Sequence, residues 1–272
     1  MGSLFDFMNY NKPGPGVEKD ESPKPKIIVF FQIYATKFGD LVKLNLIFTW
    51  FNIPALILAY FLFSVFYSTF HTQLQDQALF SFIIFFAFGS LFLGIPVITT
   101  GPAQAGFTYV LRNYSRREHA FMWSDFKEHA VRNIKQSLLI TIIDFLIVLF
   151  LFFDFYICVN AKMNSILVTI SLYFIALLSL IFLMMHLYIY PMLVTFKLSL
   201  KHIYKNALIF AIARFLPNLG IVLLCFVLLV LPILLFSPIG FILFCLITLS
   251  TVGLITNFYA YPTLEKYMVN KE

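Results

Sequence analysis

Long apolar blocks, each about as long as a membrane-crossing helix, constrain this chain more than any other feature. A transmembrane helix needs about 20 mostly apolar residues, whereas a strand of a membrane barrel shows only short alternating runs. The chain has 272 residues, of which 61% are hydrophobic and 12% charged, against roughly a quarter charged in soluble domains. The sequence therefore predicts an all-α fold, a polytopic transmembrane helical bundle, and excludes a water-soluble fold and a barrel.

The apolar blocks predict about six spans. The first four cover 44–67, 78–100, 137–157 and 165–190. The last block, 215–255, is nearly unbroken and at about 1.5 Å per residue would form a helix roughly twice as long as a bilayer is thick. We therefore expect a hairpin that divides it into spans 217–236 and 239–260, marked by Pro232, Ser237, Pro238 and Gly240.

The distribution of Lys and Arg predicts the orientation. Of these nineteen residues, eighteen fall in the N-terminal region, in the loops 101–136 and 191–216, or in the C-terminal tail, and only Lys162 falls on the other side. Because basic loops stay in the cytoplasm, both termini and both long loops are expected there, in a multi-pass protein of the cell membrane. The net charge of +6 follows from this arrangement, so it does not indicate nucleic-acid binding.

The region before the first span has two parts. Residues 1–26 are rich in Pro, Gly and charged residues, and this composition predicts a solvated cytoplasmic leader. Residues 27–43 place apolar side chains at helical spacing with Lys37, Asp40 and Lys43 between them, as in an amphipathic helix that lies at the membrane interface. Residues 27–272 are interpreted as a single membrane domain.

The segment after the second span carries the clearest helix signals. Pro96 is expected to kink or end that span, Gly101 lies at an N-cap position, and Pro102 suits the first position of a new helix. Asp125, followed by Glu128, resembles a capping box and predicts a second helix that runs into the third span. The loop 101–136 is therefore expected to be an organised amphipathic helical structure in the cytoplasm.

This segment also carries a family resemblance. Its Gly101, Pro102, Ala103, Ala105, Leu111 and Arg112, the later Asp125–Phe126 pair and Asn133, Lys135 and Gln136 resemble the YesL family of membrane proteins from Gram-positive bacteria. The resemblance extends over most of the first 140 residues. It implies a multi-span protein whose genes accompany carbohydrate uptake and sensing systems, and it implies no catalytic residues because the family has no assigned activity.

A second basic segment follows the fourth span. Pro191, like Pro96, is expected to close a span and to precede a basic stretch, which indicates a degenerate internal repeat or a chance similarity between membrane segments. Lys197, Lys201 and Lys205 lie four apart, as on one face of a helix. These three side chains either reach the anionic inner leaflet or form a docking surface for a cytoplasmic partner. The candidate contacts for a partner or lipid are Arg112, Arg116, Arg117, Lys197, Lys201 and Lys205.

Asp144 is the best single candidate for a functional residue. It lies about seven residues inside the third predicted span, where an ionised carboxylate costs at least ~2.5 kcal/mol and faces the bundle interior or water. The alternative is a structural role, as a neutral carboxyl or as the hydrogen-bond partner of a Ser, Thr, Asn or Tyr on a neighbouring helix. His186 could join Asp144 in one polar site, although a single His near the interface is more often only hydrogen-bonded.

No motif in the sequence indicates an enzyme, a metal site or a cofactor. The three cysteines are not paired in a metal-binding spacing, and no nucleophile, acid–base pair or phosphate-binding loop is recognisable. The leading hypothesis is a non-catalytic accessory component of a carbohydrate uptake or sensing system, with a sugar ABC transporter or a sensor kinase as partner. The alternative is an autonomous transporter with an intramembrane acidic site at Asp144.

Overall fold

A computed structural model describes residues 24–71, 101–160, 166–235, 240 and 242–269 of the chain. All regular structure in these residues is helical, so the predicted all-α class is confirmed. The helices are α1 Lys26–His71, α2 Gly101–Ser115, α3 Met122–Arg132, α4 Ile134–Asn160, α5 Ile166–Thr195, α6 Leu200–Ala213, α7 Phe215–Leu235 and α8 Leu249–Leu264. Short π-helical segments, Phe244–Thr248 and Glu265–Val269, continue α8 at both ends.

Three of these helices are long and apolar enough to cross a membrane, namely Ile134–Cys158, Ile166–Thr195 and Phe244–Val269. A fourth span results if the bent pair Leu200–Ala213 and Phe215–Val230 counts as one. Side chains on α4 and α5 expose much apolar surface, with Phe150 64% and Tyr173 75% exposed, as expected for helices that face lipid. The described residues therefore have the helices of a multi-pass membrane protein.

The predicted first span is part of a much longer helix. α1 has 46 residues and is about 69 Å long at about 1.5 Å per residue. It contains both the predicted interfacial segment 27–43 and the span 44–67 without a break. On its first half, Ile33, Leu41, Leu44 and Phe48 are buried against the rest of the protein. The 27–43 segment thus packs on the bundle with one of its faces.

The centre of the molecule is α2, which the sequence analysis assigned to a cytoplasmic loop. Twelve of its fifteen residues are buried, and α1, α3, α4, α5 and α8 all pack against it. Two glycines allow this close packing, because a Cβ at Gly101 would collide with the Ser137 carbonyl and a Cβ at Gly106 with the Phe126 carbonyl. Small residues at such crossings let helix backbones approach closely.

A sharp bend joins α6 to α7. The two helices meet at 98°, and the bend leaves the last carbonyls of α6 short of helical partners, although the Phe210 carbonyl still accepts the Arg214 N–H at 3.2 Å. Asn218, on α7 and fully buried, donates its amide N–H groups to the carbonyls of Phe210 (2.9 Å) and Ala211 (3.2 Å). Its Oδ1 accepts the hydroxyls of Tyr188 and Tyr259, each at 2.7 Å. One amide side chain therefore holds α5, α6, α7 and α8 at the bend.

Another buried amide explains the π-helical segment before α8. Asn45 of α1 donates to the carbonyls of Phe244 (3.0 Å) and Cys245 (2.6 Å) and accepts the backbone N–H of Ser250 at 2.8 Å. A π turn leaves backbone groups without their usual partners. The Asn45 side chain satisfies three such groups and ties α1 to α8.

Two local predictions were wrong. Pro191 does not end the fourth span, because α5 continues through it to Thr195, losing only one backbone hydrogen bond at the proline. Asp125 is not an N-cap, because α3 begins at Met122, and its carboxylate instead accepts the backbone N–H of Phe121 at 2.9 Å. The prediction that this helix runs into the third span is nearly correct, since only Asn133 separates α3 from α4.

Other predictions fall on residues outside the described ranges. These include residues 1–23 of the predicted leader 1–26, the second span 78–100 with Pro96, and Ser237 and Pro238 of the predicted hairpin. Pro232 lies within α7, which ends at Leu235. The six-span count, the orientation and the internal repeat stay predictions.

Candidate functional site

The candidate site is a buried polar cluster between α4, α5 and α6. Asp144 of α4 is fully buried, and both of its carboxyl oxygens have hydrogen-bond partners. Its Oδ2 lies 3.0 Å from His186 Nε2 on α5, and its Oδ1 accepts the Tyr204 hydroxyl of α6 at 2.7 Å. The structure thus brings together Asp144 and His186, which are 42 residues apart in the chain.

The hydrogen bonds of His186 determine how many protons the pair holds. Its Nδ1 lies 2.9 Å from the Phe182 carbonyl oxygen, which can only accept, so Nδ1 carries a proton. One further proton then lies between Nε2 and the Asp144 carboxyl. If it is on Nε2, the pair is an imidazolium with a carboxylate, and if it is on the carboxyl, both groups are neutral. The pair has no net charge in either case, which suits a buried position among apolar helices.

Tyr190 adds an available donor beside this pair. It lies one helical turn after His186 on α5 and is 1% exposed. Within the described part of the chain, its hydroxyl makes no hydrogen bond of good geometry, and it is close enough to Thr141 and Asp144 to interact with both. A buried hydroxyl left unpaired costs about 1–3 kcal/mol. The cluster therefore combines a transferable proton with a donor that a water molecule or a ligand could engage.

Arg112 was predicted to contact a lipid or a partner, but the structure buries it within the protein. It is 8% exposed, and burial lowers the pKa of its guanidinium from the ordinary value. Its Nη1 donates to the Val194 carbonyl (3.1 Å) and to the Thr195 hydroxyl (3.2 Å) at the end of α5. It also donates to Asn113 Oδ1 and lies 4.5 Å from the centre of the Tyr109 ring. Arg112 therefore caps α5 from within the core.

Burial also affects two other titratable groups near α2. His129 of α3 stacks on Tyr109 with ring centres 3.3 Å apart, and burial lowers the pKa of its imidazole. Burial and, to a smaller extent, the carboxylates of Asp40 and Asp125 raise the pKa of Tyr114 to about 12. Both groups are thus held in the neutral state at the packed surface of α2.

The five remaining basic candidates are exposed, and they differ in what they contact. Arg116 pairs with Glu118 at 2.7 Å and lies over the Tyr261 ring, and Arg117 donates to Gln32 Oε1 at 3.0 Å. Both arginines thus contact neighbouring parts of the chain. The other three, which we call the α6 lysines, are Lys197, Lys201 and Lys205.

The α6 lysines differ from the predicted stripe in one detail. Lys201 and Lys205 are exposed one turn apart on α6, whereas Lys197 lies in the preceding connection, which is not helical. Ile203 and Ala207 of the same helix are fully buried. Among the described residues, none of the three lysines forms an ion pair. Lys201 and Lys205 therefore form a basic surface on a helix whose other face is fixed in the core, and Lys197 lies just before that helix.

Sequence reasoning missed Tyr204, Tyr190 and Asn218. Tyr190 had a detectable signal, because it lies four residues after His186 and so shares a face of the helix with it. Tyr204 and Asn218 had none, since Tyr204 meets its partner only where α6 packs beside α4, and the partners of Asn218 depend on the bend between α6 and α7. In the described ranges, no three His, Cys, Asp or Glu side chains come together as a metal site requires.

Comparison with known proteins identifies one domain. Residues 41–155 match the family described as "Protein of unknown function, DUF624", a stretch that includes α2 and α3. DUF624 is often associated with YesL-like membrane proteins, so the resemblance is confirmed at the level of this domain. No curated protein and no solved structure matches the chain. The match assigns no activity and no functional residues.

Proposed function

We propose that this chain, which has a DUF624 domain over residues 41–155, is a non-catalytic accessory component of a carbohydrate uptake or sensing system in the bacterial cell membrane. It crosses the membrane about six times with both termini in the cytoplasm, and its partner is a sugar ABC transporter or a sensor kinase. The carbohydrate context comes from the YesL resemblance, and the orientation comes from the one-sided distribution of Lys and Arg.

The observation that carries the proposal is the exposed basic surface of the α6 lysines. A flexible loop would lose much conformational freedom when it binds, but α6 is already held by Ile203 and Ala207 in the core and by Asn218 at its end. A preformed surface binds with less entropic cost. Exposed lysines recognise an acidic partner surface mainly through electrostatic complementarity.

The test is affinity purification of the tagged protein from its native membrane in mild detergent, with mass spectrometry of the proteins that remain bound. We expect a permease or kinase at near-stoichiometric yield. A variant with K197Q, K201Q and K205Q should lose this partner. The matched control, K127Q, R132Q and K135Q, removes three exposed charges from α3 and α4 and should keep it. A partner retained by the α6 variant, or lost from both variants, would refute the role of α6.

A second candidate function is transport by the chain itself, favoured by the Asp144–His186 pair. The pair shares one proton that it can exchange with a neighbouring group, as a proton-coupled carrier requires, and intramembrane carboxylates commonly line ion or proton paths. In vesicles that contain a pH indicator, wild-type protein challenged with a panel of mono- and disaccharides should show coupled proton uptake. D144N should abolish this flux, whereas D154N, a half-buried carboxylate later in α4, should not. Unchanged flux in D144N would refute a transport role for Asp144.

A further inference from the structure

A cavity of about 730 Å³ lies between the first turns of α1, the first half of α7 and α8 with its C-terminal π segment. The contacts around it define how the helices are aligned. Phe30 packs edge-on against Phe258 with ring centres 5.5 Å apart, and the Tyr34 and Thr251 hydroxyl oxygens are 3.0 Å apart. The two helices are therefore antiparallel, so the start of α1 lies beside the end of α8.

Three cationic side chains line the cavity, and each is at the end of its helix. Lys26 is the first residue of α1, Arg214 directly precedes α7, and Lys266 lies in the last π segment. Arg214 also donates to Thr263 near the end of α8, which places it at the same end of the cavity as the two lysines. None of the residues that line the cavity is Asp or Glu. This end therefore has the charge that attracts a phosphate group.

The rest of the cavity is apolar and has the depth of one membrane leaflet. Its walls are formed mainly by Phe30, Ile221, Leu224, Leu228, Ile255 and Phe258. From Lys266 to Thr251 the cavity follows α8 over fifteen residues, or about 22 Å at about 1.5 Å per residue. Half of a bilayer, with its headgroups, is also about 20–22 Å thick. The α8 segment, Phe244–Val269, is itself apolar enough to cross a membrane.

Arg214 is positioned to hold a phosphate at the charged end. One of its N–H groups donates to the Thr263 hydroxyl, and its guanidinium lies 5.1 Å from the centre of the Tyr259 ring. A guanidinium has five N–H donors in a planar fork that suits phosphate oxygens, so donors remain after the Thr263 bond. Its orientation is fixed before a ligand arrives, which reduces the entropic cost of binding.

We propose that this cavity is a specific binding site for an anionic phospholipid. The phosphate lies between Lys26, Arg214 and Lys266, and one acyl chain lies along the apolar walls of α7 and α8. Charge complementarity selects the anionic headgroup, since three cations in a cavity lined by no acidic residue would repel the cationic group of a zwitterionic lipid. The α6 lysines and the Asp144 cluster take no part, so this site is independent of the proposed function.

The test measures lipid retention by native mass spectrometry after reconstitution with equal amounts of phosphatidylglycerol and phosphatidylcholine. The wild-type protein should keep one phosphatidylglycerol in mild detergent. The K26Q and K266Q double variant should lower retention roughly tenfold or more, because charge-assisted bonds to phosphate are among the stronger hydrogen bonds. The control, K201Q and K205Q, removes two exposed charges away from the cavity and should retain the lipid.

A second variant tests the apolar walls without changing charge. I255W adds bulk to the wall of the cavity and should displace the lipid, with the helical content measured by circular dichroism unchanged. Equal retention of the two lipids by wild-type protein would overturn the proposal. Equal loss of lipid from both lysine variants would also overturn it, because it would show a general attraction between lipid and basic residues. Full retention of the lipid by I255W would overturn it as well.

Discussion

Replacing Asp144 by Asn and by Ala tests whether hydrogen bonding holds the buried cluster together. Asn keeps the size of Asp, and its Oδ1 can accept the Tyr204 hydroxyl as the carboxylate does at 2.7 Å. Its amide N–H can donate to His186 Nε2, which is 3.0 Å from Oδ2, while Nδ1 keeps its proton on the Phe182 carbonyl. Every hydrogen bond of the cluster therefore survives in D144N, and we expect a loss of less than about 1 kcal/mol of unfolding free energy.

Ala at the same position removes both interactions. His186 Nε2 loses its partner, and the Tyr204 hydroxyl keeps only a long contact with the Ile140 carbonyl at 3.4 Å. At about 2 kcal/mol for each of these groups, the loss is about 4 kcal/mol. This agrees with the ~3–5 kcal/mol typical of removing one member of a buried pair. At roughly 2–4 °C per kcal/mol for chains of similar size, the Tm of D144A should fall by about 8–16 °C.

The assay is thermal unfolding of both variants in one detergent, followed by intrinsic tryptophan fluorescence. D144N should unfold within a few degrees of wild type, and D144A far below it. An equal, large loss in both variants would refute the reasoning, because it would show that the charge of Asp144, and not its hydrogen bonds, stabilises the cluster. A stable D144N also provides the folded protein that the vesicle flux experiment needs.

Three further predictions concern packing, the bend and pH. G106V should lower Tm by several degrees in the same assay, because a side chain there meets the Phe126 carbonyl, whereas G39A, where a Cβ meets nothing within 4 Å, should be neutral or slightly stabilising. N218A should lower the unfolding free energy by about 2–4 kcal/mol, because it removes the acceptor of the buried Tyr188 hydroxyl and the partly buried Tyr259 hydroxyl, and two donors to the α6 carbonyls. A loss below about 1 kcal/mol would contradict its role at the bend. Because burial lowers the pKa of His129, the folded protein binds fewer protons than the unfolded one, so stability should fall as pH drops below about 6.5. H129Q should weaken that slope, and a slope equal to wild type would exclude His129 as its source.

The spans were predictable because their signals are local. The predicted third span, 137–157, lies within α4, Ile134–Asn160, and the predicted fourth starts within one residue of α5. Asp144 was also recognisable, because an ionisable residue inside an apolar block is unusual wherever its partners are. Local composition alone therefore located these spans and one member of the cluster.

The rest of the site depends on tertiary packing that local patterns do not record. A basic residue in a polar segment is normally solvated, so Arg112 was assigned to the surface, but the burial of α2 turns it inward onto the end of α5. Asn218 is unremarkable in sequence and acquires its role only at the 98° bend, and Tyr204 acquires its role only where α6 packs beside Asp144 of α4. For the burial of α2, the available signal was the set of small residues at its start, which is typical of closely packed helices.

The central position of α2 has a consequence for how the protein is made. α2 is synthesised early, yet the helices that enclose it include α5 and α8, which leave the ribosome 50 to 150 residues later. Until they arrive, Arg112 has no α5 terminus to cap, and the face of α2 that will meet Gly253 of α8 stays uncovered. The polypeptide therefore cannot complete its interior by adding spans one after another. The packing around α2 is complete only after α8 has been synthesised, so the burial of an early helix depends on segments much later in the chain.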